Sequence, residues 1–306
     1  MISIVIPSYR CSQSLVELHK RLVAVLKSLN HDYEIIMVND ASPDNDWEVI
    51  AQLASKDKKV IGIDLSRNFG QHYAITAGLE NASGNWVIVM DGDLQDQPEE
   101  IPKMFEKTNE GYEVILGRRH SRKDNIFKKA SSKIFSWIFS YFLETKIDNT
   151  IANFGVYHKK VIQAVLSLKE KDRSFPAIVN WLGFKKTTVD IEHAERFAGT
   201  TSYSFAKSLG FALDVIISQS NKPLKLSIRF GLFMSFVSFL FIIYLGYKYF
   251  VLGIAIEGWT SLMVSLFFIA GLLFANLGII GLYIGKSFDE AKKRPLYVIR
   301  EKLNKD

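Results

Sequence analysis

Apolar and polar residues alternate in blocks along the first half of the chain. Short apolar runs at residues 2–7, 33–38, 60–65, 86–90 and 113–116 have strand length, and amphipathic stretches at about 14–29, 47–55, 72–81 and 98–109 lie between them. Strand alternating with helix at this spacing predicts a mostly parallel α/β sheet with helices on both faces. The runs end on acidic or turn-forming residues: Asn39-Asp40 after the second, Asp91-Gly92-Asp93 after the fourth, Gly117 after the fifth. Open α/β sheets bind ligands outside these carboxyl ends, so chemistry is expected there.

The pattern changes in the last third. Two apolar stretches, 226 to about 250 and 259 to about 285, each approach the ~20 residues that cross a hydrocarbon core. Neither is expected to be a leader, since the chain opens on the strand-like Ile2-Ser3-Ile4-Val5-Ile6. Lys222, Lys225 and Arg229 precede the first stretch, and Lys286, Lys292, Lys293 and Arg294 follow the second. The loop between them, near Glu257, carries no Lys or Arg, although Lys248 lies at its edge. The positive-inside rule then puts both ends in the cytoplasm and the loop outside, and the expected location is an inner membrane. The expected organisation is a catalytic domain over 1–201, an interfacial segment over 202–225, two transmembrane helices over 226–285 and a basic tail over 286–306. Residues 126–143 and 203–220 read either as core helices or as membrane-surface helices, the second favoured at the surface because it runs into the first span.

Charge and cysteine content narrow the picture slightly. A net charge of +6 suits anionic lipid and phosphates, and the single cysteine, Cys11, excludes an internal disulfide.

Asp91-Gly92-Asp93 is the central candidate. Two carboxylates at a strand end can hold a hard divalent cation, Mg²⁺ or Mn²⁺, which in turn clamps a diphosphate. Asp44-Asn45-Asp46 has the same spacing but lies in a Pro- and Asn-rich turn, whereas Asp91 terminates a very apolar run. Asp40 closes the second strand, where a carboxylate accepts hydrogen bonds from a base or ribose, or else forms an Asx turn or helix cap. Arg118, Arg119, Arg122, Lys123, Lys128 and Lys129 form a basic cluster after the fifth strand, suited to a phosphate or to lipid headgroups.

Four motifs occur in order: Ile4-Val5-Ile6-Pro7-Ser8-Tyr9, Val38-Asn39-Asp40-Ala41-Ser42, Arg67-Asn68-Phe69-Gly70, and Asp91-Gly92-Asp93-Leu94-Gln95-Asp96. With Glu195-Arg196-Phe197-Ala198-Gly199 and the closing Gly281-Leu282-Tyr283-Ile284-Gly285 and Lys292-Lys293-Arg294-Pro295, the chain resembles the inverting GT-A glycosyltransferases, specifically the polyprenyl-phosphate branch that includes bactoprenol glucosyltransferases and dolichol-phosphate mannose synthases. The resemblance implies a Rossmann-like GT-A domain that moves one sugar from a nucleotide-sugar, UDP-glucose first, to undecaprenyl or another polyprenyl phosphate for modification of a cell-surface glycan such as O-antigen. It implies that Pro7, Tyr9 and Asp40 line the nucleotide pocket, with Asp91 near the ribose and diphosphate. Asp93 and Gln95 would be metal ligands. Arg119, Lys129 and Arg196 would face the acceptor phosphate, with Thr201 and Ser202 close by. No nucleic-acid partner is expected, and a homo-oligomer stays open.

The chain departs from that branch at Asn153-Phe154-Gly155, where bactoprenol glucosyltransferases carry an acidic residue and an arginine around the phenylalanine. Loss of bulk at Gly155 is expected to make room for a sugar with an altered substituent. A processive polysaccharide synthase shares the early motifs, but no Gln-x-x-Arg-Trp sequence is present. A non-enzymatic nucleotide-binding membrane module would need neither metal ligands nor a basic cluster.

Overall fold

The computed structural model describes residues 1–119, 141–142, 151–171, 173–192, 216–217, 220–251 and 258–305. Two compact units result. The first takes in the N-terminal part of the chain and, unexpectedly, residues 294–306.

Its sheet is built from β1 (Ile2–Ser8), β2 (Tyr33–Asn39), β3 (Val60–Leu65), β4 (Trp86–Val89), β5 (Val114–Arg119), β6 (Ile151–His158), β7 (Lys186–Ile191) and β8 (Ile299–Leu303). The spatial order is β7-β5-β6-β4-β1-β2-β3-β8. β1 pairs in parallel with β2 and β4, β2 with β3, and β5 with β7. β6 is antiparallel between β4 and β5, and β8 is antiparallel on β3. The anticipated α/β fold is thus present, with two antiparallel insertions that strand-length runs do not announce.

Strands buried on both sides explain the uninterrupted apolar runs. One layer packs Ile4, Ile6, Ile35, Met37 and Ile88 against Leu15, Leu18 and Leu22 of α1 (Ser12–Ser28) and Ile50 of α2 (Asp46–Lys56). The opposite layer packs Val5, Ile36, Val38 and Val87 against Ala74, Ile75 and Ala77 of α3 (Gln71–Glu80). The short α4 (Ile101–Glu106) precedes β5, and α5 (Lys159–Ser167) and α6 (Phe175–Leu182) follow β6.

α3 lies unusually close to β1. A Cβ built on Gly78 would sit 2.3 Å from Val5 Cγ1 and 3.3 Å from Val38 Cγ2. Gly78→Ala is therefore expected to destabilise the protein by roughly 1–3 kcal/mol, the range for overpacked cores, despite alanine's better helix propensity. Denaturant unfolding followed by tryptophan fluorescence measures it; a neutral or stabilising effect would show that α3 can shift outward freely.

The second unit contains α7 (Lys222–Phe250) and α8 (Trp259–Ala291). Both are long and apolar enough to cross a membrane, over Lys222–Leu245 and Ser261–Ala291, and none of the residues in their apolar windows is buried. A core helix of a soluble protein would be covered, and these are not. Where they meet, the Ser227 hydroxyl donates to the Asn276 side-chain oxygen. The Tyr283 hydroxyl donates to the Ser220 carbonyl at 2.6 Å. The segments 126–143 and 203–220, read as core or surface helices, fall almost wholly outside the described residues.

The segment expected as a basic tail behaves differently. α8 runs to Ala291, and residues 299–303 then join the sheet edge beside β3. The physical reason is an open edge: β3 would otherwise expose unpaired N–H and C=O groups, which β8 satisfies.

Candidate active site

Three loops meet at the carboxyl ends of β4, β1 and β2, which lie side by side. The chain runs from β1 to β2 on one side and returns to β4 on the other, so this is the switch point where open sheets form a crevice. One residue in each loop is held at positive φ without being glycine: Arg10 at 59°, Ala41 at 48° and Leu94 at 61°. Such backbone costs energy and persists where surrounding contacts over-determine it.

The β1 loop is pinned from below. The buried Asp46 carboxylate accepts the Ser8 hydroxyl at 2.6 Å and the Cys11 N–H at 3.1 Å. Asp46 thus has a structural task that sequence reading missed, while Asp44 is exposed. Pro7 sits in β1 opposite Val38, and Tyr9 is exposed with the Arg10 guanidinium 5.6 Å from its ring centre. Burial pushes the Cys11 thiol up to about 12, with Asp46, Asp93 and Asp91 adding to the effect, so Cys11 stays a neutral thiol.

In the β2 loop the Asp40 carboxylate is largely committed to protein. It accepts the backbone N–H of Phe69 at 2.7 Å and of Gly70 at 2.8 Å. Burial raises its carboxyl above the usual range, and these two bonds and Arg67 oppose the rise. The carboxylate thus makes neither an Asx turn nor a local helix cap; it holds the distant segment Arg67-Asn68-Phe69-Gly70.

The β4 loop carries the acidic cluster. Asp93 Oδ1 accepts the Gln95 N–H at 3.1 Å, and Asp91 Oδ1 accepts Gln71 Nε2 at 2.6 Å. Asp96, fully buried, receives a two-pronged bond from Arg119: Nε to Oδ1 at 3.3 Å and Nη2 to Oδ2 at 3.1 Å. Burial first, then the charges of Asp93 and Asp96, push the Asp91 carboxyl up to about 7, against Arg119 and Gln71. The fold therefore concentrates negative charge where water screens it poorly, an arrangement a divalent cation would relieve. Among the described residues no three His, Cys, Asp or Glu side chains are grouped to hold a metal. The donor set instead fits an ion held by one or two carboxylates and completed by substrate phosphates.

The sheet thus brings Pro7, Tyr9, Asp40, Asp91, Asp93, Gln95 and Arg119 to one edge. Lys129, Arg196, Thr201 and Ser202 lie outside the described residues. Gln71 and Asp96 bond to Asp91 and Arg119 of this candidate site, and sequence reading gave them no role; Asp96, five positions after Asp91, carried a signal in its spacing, and Gln71 carried none.

One expectation is overturned. The absence of bulk at Gly155 does not open a sugar pocket. A Cβ there would meet the Tyr157 hydroxyl at 2.5 Å and its ring carbons at 2.7 and 2.9 Å. Gly155 and Tyr157 share a strand face, and the ring fills the space within a buried layer against Phe175.

His72, next to Gln71, has an Nδ1 with no hydrogen-bond partner among the described residues, and burial lowers its imidazole from 6.5 to about 4. The unfolded chain then takes up a proton that the folded chain refuses. Stability is full above pH 6.5 and falls as pH drops toward 4, by an amount on the order of 2–3 kcal/mol. His72→Phe is expected to remove that component. Unfolding free energy measured from pH 7 to 4 in both proteins checks it, and parallel profiles would refute it.

These features define an α/β domain of GT-A type. The family model for glycosyl transferase family 2 matches residues 3–167, and the chain belongs to that family. It is 39% identical over 300 residues to the glycosyltransferase YkcC of Bacillus subtilis, covering 98% of this chain and 93% of that one. It is 33% identical over 303 residues to the undecaprenyl-phosphate 4-deoxy-4-formamido-L-arabinose transferase of Photorhabdus laumondii, covering 98% and 93%. A Mycobacterium tuberculosis glucosyl-3-phosphoglycerate synthase, solved with Mn²⁺, UDP and phosphoglyceric acid, shares the fold with a TM-score of 0.50 at 14% identity, over 71% of this chain and 76% of that one.

Proposed function

We propose that this protein transfers a single sugar from a nucleotide-sugar to polyprenyl phosphate at the cytoplasmic face of a membrane, inverting the anomeric centre and supplying lipid-linked sugar for a cell-surface glycan. The observation that carries the reading is the Asp91–Asp93–Asp96 cluster beside Arg119, in a unit whose chain is interrupted by two uncovered apolar helices. The name of the Photorhabdus relative supports the lipid-phosphate acceptor.

Topology supports the orientation. The chain leaves the sheet-bearing unit, passes through two apolar helices and rejoins the same sheet as β8. A return to the same sheet favours an even number of crossings, and the flanking lysines and arginines favour the cytoplasm for both outer ends.

The acceptor explains why no general base is required. A phosphate monoester has its second pKa near ~6 and is a nucleophilic dianion at neutral pH. Asp93 and Gln95 would hold Mg²⁺ or Mn²⁺, which when bound supplies charge neutralisation for the departing nucleoside diphosphate. Pro7 and Tyr9 flank the nucleotide, Asp40 orders the loop against it, and Asp91 lies near ribose and diphosphate. Arg119, with Lys129, Arg196, Thr201 and Ser202, aligns the acceptor phosphate and offsets repulsion between two anions.

UDP-glucose remains the first donor to test. The Photorhabdus relative's name adds nucleotide-linked 4-deoxy-4-formamido-L-arabinose, and UDP-N-acetylglucosamine completes the panel. Membranes incubated with each labelled donor and extracted with organic solvent decide the reading. Label in the lipid phase from one donor supports it; insoluble polymer indicates a processive synthase, and no transfer with any donor indicates a binding module.

A further inference from the structure

We infer that Arg300, on the strand that follows the membrane helices, is a positioning residue for the donor loop, acting through Asp64 and Asn39. The inference rests on the nucleotide-binding reading of that loop. Arg300 Nη1 donates to Asp64 Oδ2 at 3.0 Å, and Nη2 donates to the Ser66 carbonyl at 2.7 Å. Asp64 is buried in β3 and faces Asn39 across the β2–β3 pairing. Its other oxygen accepts Asn39 Nδ2 at 2.7 Å. With the Asn39 amide nitrogen committed there, its oxygen is turned to the loop and accepts the Ser42 N–H at 3.1 Å.

That bond closes the turn containing Asp40 and the positive-φ Ala41. The Asp64 oxygen facing Asn39 accepts, so the Asn39 amide presents its nitrogen to Asp64 and its oxygen to the loop. Without Arg300, the Asp64 carboxylate loses the bond that fixes its second oxygen, is freer to turn, and holds the Asn39 amide less firmly. The remaining tail contacts seat Arg300. The Tyr297 hydroxyl donates to Glu80, Lys302 Nζ donates to Asn81 Oδ1 at 3.0 Å, and Asn304 Nδ2 donates to the carbonyls of Ala54 and Val60 at 2.7 and 2.9 Å. A segment beyond two membrane helices thereby helps shape a loop at the opposite end of the sequence.

The test uses the full-length protein in detergent as wild type, Arg300→Ala and Arg300→Lys. Hydrogen exchange without ligand should speed up ~10-fold or more at Ser42 in Arg300→Ala, with β1 and β4 as protected as before. With UDP-glucose as probe, donor KM should rise about 5–20-fold while kcat changes less than about 2-fold, and Arg300→Lys, which keeps the charge but not the fork, should fall between. Unchanged exchange at Ser42, or acceleration spread over the whole sheet, overturns the inference. If wild type does not turn over UDP-glucose, the donor reading falls while the exchange measurement still decides the role of Arg300.

Discussion

Asp93→Asn is expected to cut turnover by at least about 100-fold while the protein inserts and folds as before. Asparagine keeps the side-chain oxygen that accepts the Gln95 N–H at 3.1 Å, so the turn around Leu94 survives. What disappears is one negative charge from a cluster in which burial, and then mutual repulsion, already raise Asp91. Under the proposed function, a divalent ion would lose a hard anionic ligand and the departing diphosphate its counter-charge. Chelation should reproduce the loss in the wild type, and Mg²⁺ or Mn²⁺ should restore it. Asp44→Asn is the matched control, being exposed in a triplet of the same spacing. Asp46 would be a poor control, since its carboxylate pins Ser8 and Cys11. Full activity of Asp93→Asn, or of wild type in chelator, would sink the metal assignment.

The second large effect is expected at Arg119. Its partner Asp96 is fully buried, so Arg119→Ala strands a carboxylate inside the protein. Breaking a buried pair from one side costs about 3–5 kcal/mol; with Arg119 itself a fifth exposed, a loss of roughly 2–4 kcal/mol is expected. Acceptor use should fall in addition, with polyprenyl-phosphate KM rising more than about 10-fold and donor binding nearly unchanged. The two effects separate in Asp96→Asn/Arg119→Gln, which removes both charges and should recover most of the stability but not the acceptor use. Recovery of both together would show that Arg119 serves only Asp96. Loss of donor affinity with unchanged acceptor dependence would show that the two substrates have been placed the wrong way round.

Arg119 also shows how far the chain could be read without its fold. Its charge and its position at the end of β5 were legible, and both suggested a phosphate. Its bond to Asp96, 23 residues away, was not. Asp40 was recognised as closing a strand, yet its two acceptors are filled by N–H groups 29 and 30 residues further on. Gly155 was read by what it lacks, and the neighbour that fills the gap two residues later could be assigned only once the strand face was known.

The sequence by itself determined the first five strands, four of the helical stretches between them, and the two long apolar helices. These depend on local periodicity and on the length of apolar runs, which are properties of neighbouring residues. It also determined the order of the site motifs, because strand ends are written locally as Asx, Gly and charged residues. Only the tertiary structure decided that β6 runs antiparallel between β4 and β5, that residues 299–303 close the far edge of the sheet, and that Asp64 joins Arg300 to Asn39. Those are pairings between segments far apart in the chain, made by backbone groups that nearly every residue carries and by single polar side chains, so no periodicity marks them in advance.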